Sequence, residues 1–405
     1  MALPATIQES DHPPVRRGPA RRSVGWTGLG RGHLARPFEW AAEKAIFLVS
    51  LTAIVMIFLI FAFVGREALP VILGQASTAR ARAAKPVADL EKMTVRETQA
   101  YLELTPKQYE SLDRQALVTL MELKIEAARE SADDKDAGEN TAAWRYLLAP
   151  HRWSDYAAPA YIWQPVSPVP KFNLAPLLAG SLKATLIALL LSVPLALGAA
   201  LYVSQLCPPR FKETLKPALE MLSGVPSVVL GFFALLVLAT WLQKVFGYDS
   251  RLNALVAGLA MGFAIVPIVF SLAEDALTSV PRSLTQAALA LGASRWQAAW
   301  QVVLPAALPG VFAAVMLGFG RAIGETMVVL MASGNASILS WSVFDSTRTL
   351  TATIAAEMAE VARGGVHYRM LFLIGALLLV VTLLSNLAGE IVVHRLKRRW
   401  EGGNP

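Results

Sequence analysis

Arg321 and Glu325 stand out because of where they sit in the chain. They fall inside GFGRAIGETMVV, a stretch otherwise built from apolar and small residues. Four positions apart on a helix, the two side chains share a face and can pair, although arginine before glutamate is the weaker order. If the surrounding run crosses a bilayer, Arg321 lies on the order of 22 Å along a span of roughly 40 Å, near the midplane. A charge there costs at least ~2.5 kcal/mol on insertion scales, so something must offset it. Two readings follow. In one, Arg321 and Glu325 form a salt bridge that locks helices together. In the other, Arg321 lines a pathway and meets an oxyanion, whose oxygens suit the planar guanidinium fork, and Glu325 holds that fork in place. Gly318, Gly320 and Gly324 lie close by and would let a second helix approach.

The elements that must position these residues are membrane spans. Apolar residues make up 55% of the 405 and charged residues 17%, against about a quarter charged in soluble domains. The mean hydropathy is +0.47. The charges crowd into the tails and residues 66–170, leaving six apolar runs at about 45–65, 184–206, 221–242, 252–272, 306–333 and 370–393. A span needs roughly 20 mostly apolar residues. The sequence therefore predicts an all-α integral membrane protein with six transmembrane helices. Its parts are a basic tail (1–44), the first span (45–65), an external helical insertion (66–172), a transmembrane core (173–394) and a second basic tail (395–405).

Arginines and lysines cluster in the first tail (Arg16, Arg17, Arg21, Arg22, Arg31, Arg36, Lys44), in the 207–217 loop (Arg210, Lys212, Lys216) and at the end (Arg395, Lys397, Arg398, Arg399). With six spans all three fall on one side, which the positive-inside rule makes cytoplasmic, so both termini are expected there. The net charge of +7 thus points to a lipid membrane and not to nucleic acid, because the basic residues flank apolar runs and form no aromatic-laced patch. Within the insertion, Thr94 with Glu97 and Thr105 with Pro106 and Gln108 read as helix starts. Leu117, Leu120, Met121, Ile125 and Ala128 then recur at helical spacing. Trp144, Trp153, Tyr156, Tyr161 and Trp163 either lie at the lipid interface or pack this module. Lys183 is expected just before the second span, snorkelling outward, and Glu274 and Asp275 at the end of the fourth, in solvent. Gly224-Val225-Pro226-Ser227 should loosen the third span.

The single Cys207 excludes a disulfide framework, and none of the five histidines has a partner at ligand spacing, so neither a metal nor a cofactor is expected. No Gly-Lys dipeptide occurs. The chain therefore lacks a Walker A loop and is not expected to be an enzyme, and any ATP hydrolysis falls to another subunit.

Between spans four and five, residues 281–305 read PRSLTQAALALGASRWQAAWQVVLP. Two helical pieces hinge at Gly292. Ala287, Ala288 and Leu291 form a small apolar face, and Trp296, Ala299, Trp300 and Val303 a larger one. Such a weakly charged hairpin fits a groove on a partner better than it fits water.

Here the sequence resembles a known family. Binding-protein-dependent permeases carry a cytoplasmic loop of the form E-A-A, three residues, Gly, nine residues, I-x-L-P. This chain has Gln286-Ala287-Ala288, Gly292 and Val302-Val303-Leu304-Pro305 at full spacing. Glutamine replaces the usual glutamate, which puts in doubt any ionic contact that relatives make there. Gly320-Arg321-Ala322-Ile323-Gly324-Glu325-Thr326-Met327 is similar to the G-R-A-L-G-E-T-M signature of the C-type phosphate permease, and Ala355-Ala356-Glu357-Met358-Ala359-Glu360 to its A-x-E-F-A-E. The resemblance covers about residues 163–397. It implies the fold of a type I ABC importer permease with a cytoplasmic coupling helix in the bacterial inner membrane. It implies phosphate import through Arg321, Glu325 and Thr326, and ATPase coupling through Gln286, Ala287, Ala288, Gly292, Leu304 and Pro305. The implied partners are an A-type permease subunit in a heterodimer, an ATPase dimer and an external phosphate-binding protein. The alternatives are a permease for sulfate, molybdate or phosphonate, and an ion channel or membrane scaffold, which would have no use for an ATPase dock.

Overall fold

A computed structural model describes residues 37–78 and 139–401, with residues 98, 102, 112–113, 115–123 and 136 between them. The chain divides into two compact units, Met1–Leu59 and Ile60–Pro405. The described part of the first is the opening of helix α1 (Pro37–Ile72), whose large side chains from Ile46 to Leu59 are exposed, as befits a helix standing in lipid.

The second unit carries α2 (Trp144–Leu148), strands β1 (Trp163–Gln164) and β2 (Lys171–Phe172), then α3 (Ala175–Leu201), α4 (Pro209–Met221), α5 (Ser227–Phe233) and α6 (Ala239–Phe246). It continues through α7 (Ala254–Thr278), α8 (Arg282–Ala290), α9 (Arg295–Ala298), α10 (Leu304–Ile323), α11 (Met327–Ala332), α12 (Leu350–Glu357) and α13 (Val366–Glu401). Single π turns extend α3 and join α5 to α6 and α9 to α10. The third of these turns lies just ahead of Pro305, which has no N–H to donate backward.

Six helical runs are long and apolar enough to span: Ala42–Ile72, Ala175–Leu206, Ser227–Phe246, Ala254–Thr278, Arg295–Ile323 and Val366–Arg395. The expected number holds, and two boundaries move for a physical reason. The third run starts at Ser227 because Val225 and Pro226 are extended after a 3-10 turn at Leu222–Gly224. The fifth ends at Ile323, ten residues short of the expected 333, because the chain leaves the helix at Gly324.

Helix α7 is the hub of the bundle. Its small and apolar residues Ala257, Ala260, Met261, Ile265 and Val269 pack in one core with Ala184, Ala188, Ala196 and Ala200 of α3 and Ala307, Val311 and Ala314 of α10. Residues without bulk let backbones approach where lipid offers no hydrophobic drive. At Gly318 a Cβ would stand 2.6 Å from Val269 Cγ2, so the sequence expectation of close helix approach is met there. Ile265 and Val269 lie about midway along the 25-residue α7, so α10 reaches the level of Arg321 near the centre of the bundle.

A second core joins Ala68 and Val71 of α1 to Leu147, Trp163, Phe172, Leu174, Leu177 and, on α13, Met370, Leu371 and Ile374. This fixes the described part of the insertion. It is less helical than expected, because β1 and β2 pair antiparallel with Trp163 opposite Phe172 and Gln164 opposite Lys171, and Pro165, Pro168 and Pro170 disfavour helix between them. Trp153 and Trp163 are buried and pack the module, Trp144 and Tyr156 are exposed, and Trp144 Nε1 donates to Ile72 O at 3.0 Å. Residues 115–123 are helical. The helix starts at Thr94 and Thr105 lie outside the described residues, as does the basic stretch Arg16–Arg36.

Two charged residues behave differently from the sequence expectation. Glu274 is 1% exposed rather than solvated, because Lys212 Nζ and Lys216 Nζ of α4 donate to its two oxygens at 2.7 and 2.6 Å, and Thr278 Oγ1 donates at 2.8 Å. Asp275 does face solvent and meets Lys216 at 2.9 Å. Lys183 lies within α3, not ahead of it, and its Nζ donates to Ser340 O at 3.0 Å and Ser342 O at 2.9 Å, tying down the 334–348 connection.

The hydrogen bond to Glu274, reinforced by Asp275, raises the Lys216 pKa above the ordinary lysine range. A raised amine pKa contributes stability that is full below the unfolded lysine value, near 10.4, and is lost as pH climbs through the folded value. On the lysine side, the α4–α7 clasp is therefore intact across neutral pH and opens when the medium turns strongly alkaline. Glu274→Ala should lower the thermal midpoint of the detergent-purified protein, at a cost of about 2 kcal/mol for the charged hydrogen bonds lost, while Asp275→Ala should shift it by no more than a degree or two. Equal midpoints for wild type and Glu274→Ala would show that the clasp contributes nothing.

Candidate anion pathway and coupling surface

The end of α10 builds the site. Gly324 caps the helix, Glu325 N donates back to Ala322 O at 3.1 Å, and the next regular backbone bond, Leu330 N to Thr326 O at 2.9 Å, belongs to α11. Residues 324–326 are thus a break inside the bundle. The third span begins at Ser227, and its start meets this break. Ser227, Gly320, Arg321, Gly324, Glu325, Thr326 and Met327 line one open cavity of about 420 Å³. Both Gly320 and Gly324 line this wall. A Cβ at Gly320 would come within 3.4 Å of Asn386 Oδ1 on α13, whereas one at Gly324 would meet only backbone of its own segment.

The structure brings Arg321, Glu325 and Thr326 together as lining residues, but not as an ion pair. Among the described residues no salt bridge or hydrogen bond engages the Arg321 guanidinium or the Glu325 carboxylate. Because the helix ends at Ile323, the four-residue spacing no longer stacks the two side chains on one face. Of the two readings, the salt-bridge lock is not formed among the described residues, and Arg321 stands exposed toward the cavity. Thr326 Oγ1 donates to Gly324 O at 3.3 Å, closing the turn of the break. The Glu325 carbonyl accepts Thr351 Oγ1 at 2.8 Å.

The 281–305 segment has the expected hinge. Ala293 N donates to Ala288 O at 3.1 Å and Gly292 N to Leu289 O at 3.0 Å, the two bonds of a Schellman motif. Gly292 takes φ +86°, a conformation that a Cβ penalises. Helix α9 then opens with a capping box between Ser294 and Gln297, at 2.8 and 3.2 Å. Gln286, Ala287 and Gly292 are exposed, Ala288 is buried, and Leu291 is 90% exposed. Leu304 and Pro305 lie apart from these, half-buried in the first turn of α10. The larger apolar face splits. Ala299 and Val303 join the core, while Trp296 and Trp300 stack outward with centroids 6.0 Å apart.

Sequence reasoning passed over Ser227 as a lining residue, although the Gly-Val-Pro before it marked the break. It also passed over the hub formed by Glu357. That carboxylate accepts Trp163 Nε1 at 3.1 Å, pairs with Arg348 at 2.9 Å and meets His367 Nε2 at 2.8 Å. Its partners lie far apart in the chain, and no local pattern joins them.

The sequence is similar to those of known transport proteins. The family described as binding-protein-dependent transport system inner membrane component matches residues 192–401. A probable ABC transporter permease protein, YqgH of Bacillus subtilis, is 36% identical over 236 residues, covering 58% of this chain and 76% of the relative. The phosphate transport system permease protein PstC of Mesorhizobium japonicum is 33% identical over 256 residues, covering 58% and 77%. PstC 1 of Mycobacterium tuberculosis is 31% identical over 249 residues, covering 56% and 74%.

If no lock joins Arg321 to Glu325, a double-mutant cycle of Arg321→Gln and Glu325→Gln on detergent thermal stability should give a coupling below about 0.5 kcal/mol. A coupling above about 1 kcal/mol would restore the salt bridge.

Proposed function

The chain belongs to the family of binding-protein-dependent transport system inner membrane components, and from that premise we propose that it is the C-type permease subunit of a phosphate importer. The observation that carries this reading is an arginine, unpaired among the described residues, in a cavity near the centre of the bundle where the broken fifth span meets the start of the third. An unpaired guanidinium there calls for an anion, and its planar fork matches phosphate oxygens two at a time. The helical run Ser227–Phe246 begins on the same wall, so the positive end of its dipole adds to the attraction. Glu325, half-buried beside the arginine, keeps the cavity from holding an anion too tightly, and Thr326 offers a hydroxyl.

The cavity opens on the surface of this chain, which suits a site completed by a second permease subunit of A type. The exposed rim of Gln286, Ala287, Leu291 and Gly292 docks an ATPase subunit, of which two copies serve the heterodimer. Leu304 and Pro305 carry the movement into the span. ATP binding closes the ATPases, turns the loop and opens the spans outward. Phosphate released by an external binding protein passes Arg321, and hydrolysis resets the pathway inward. In this arrangement α8 and both termini face the cytoplasm, and 66–172 lies outside. This subunit moves its substrate without itself hydrolysing ATP.

Radiolabelled phosphate uptake by the assembled transporter tests the reading. Arg321→Gln should cut uptake at least tenfold at normal protein level, and arsenate should compete where sulfate does not. Competition by sulfate but not arsenate would move the substrate to another oxyanion, and full uptake by Arg321→Gln would remove the arginine from the pathway. Leu291→Asp should abolish co-purification of the ATPase while leaving membrane insertion unchanged. Retained ATPase would sink the docking surface.

A further inference from the structure

Breaking a helix within a membrane frees backbone groups that no water can satisfy. At the break in the fifth span one of the freed acceptors is the Glu325 carbonyl. Helix α11 takes up its first bond one residue later, at Thr326. What reaches the Glu325 carbonyl is the hydroxyl of Thr351, 6% exposed, at 2.8 Å.

Thr351 is itself held on several sides. Its hydroxyl lies 3.2 Å from that of Thr349. Thr349 caps α12 by accepting Ala352 N at 3.2 Å, and Thr353 Oγ1 donates to Thr349 O at 2.8 Å. Leu350 N donates to Ser181 Oγ of α3 at 2.9 Å. The other end of this eight-residue helix is Glu357, gripped by Arg348, His367 and Trp163. Helix α12 therefore runs from the hub beside the β1–β2 hairpin to the backbone of the cavity wall, and Thr351 is where it touches that wall.

We propose that Thr351 is a positioning residue of the anion pathway. It touches no anion. By fixing the Glu325 carbonyl it sets the path of residues 324–326, and with it the aim of Glu325 and the separation of Glu325 from Arg321. The proposal rests on the reading of this cavity as an anion pathway. It adds a residue outside the cavity lining, on an element that the coupling loop does not reach.

Two substitutions separate the hydroxyl from the shape. Thr351→Val keeps the volume and removes the donor, while Thr351→Ser keeps the donor. In the assembled transporter, Thr351→Val should raise the KM for phosphate uptake about tenfold at unchanged protein level and ATPase co-purification, and Thr351→Ser should stay within about twofold of wild type. A reporter cysteine, Met327→Cys in a Cys207→Ser background, reads the wall without any substrate. Its alkylation rate should change at least fivefold with Thr351→Val and not with Thr351→Ser. Thr351→Val matching wild type in both measurements overturns the proposal, as does Thr351→Ser failing in the same way as Thr351→Val. If the wild-type transporter moves no phosphate, the substrate reading fails by itself, and the alkylation rates then decide whether Thr351 positions the wall.

Discussion

The fifth span answers to one constraint, that a backbone polar group within the membrane must find its partner inside the protein. The fifth span violates the simplest solution by leaving the helix at residues 324–326. Its compensation is local and complete at the carbonyl of Glu325, where Thr351 supplies the missing donor. The Arg321 guanidinium is handled differently. Among the described residues it has neither ion pair nor hydrogen bond and faces an open cavity. The contrast between a satisfied carbonyl at Glu325 and a free guanidinium at Arg321 is what the proposed anion pathway rests on.

The surrounding packing makes the break tolerable. Alanines on α3 and Gly318 on α10 let both helices press against α7, so the half of the span before the break is fixed by close contact and does not depend on the helix continuing. The clasp of Lys212 and Lys216 on Glu274 fastens α4 to the same hub. Since α4 leads through the turn before Ser227 into the third span, both walls of the cavity are referred to α7.

The loop at 281–305 connects to those walls through a stiff element. From Arg295 to Ile323 the chain is one helical run of 29 residues, about 43 Å long. The Schellman motif at Gly292 and the capping box at Ser294 place the flexible point at its start. In the proposed coupling, a push on the exposed Leu291 rim would be passed along this run toward Arg321 near its far end. Helix α12 reaches the same wall through the bond from Thr351 to the Glu325 carbonyl.

Sequence alone determined the apolar runs, their number, the hinge at Gly292 and the presence of charge in the fifth span, because each is a matter of composition or local spacing. Hydropathy over 20 residues is enough to specify a span, and a glycine with a Ser-x-x-Gln after it is enough to specify a stop and a start. Tertiary structure decided what those charges do. Arg321 and Glu325 were legible as a helical pair because the sequence around them reads as unbroken helix, yet the chain turns at Gly324 to meet Thr351, 26 positions away. Glu274 read as solvent-exposed because its two lysines lie some sixty residues earlier, and Lys183 read as a snorkelling anchor because its acceptors are carbonyls of a distant loop. In each case local spacing named the residue, and only the packing of remote segments, which no window of sequence contains, could name its partner.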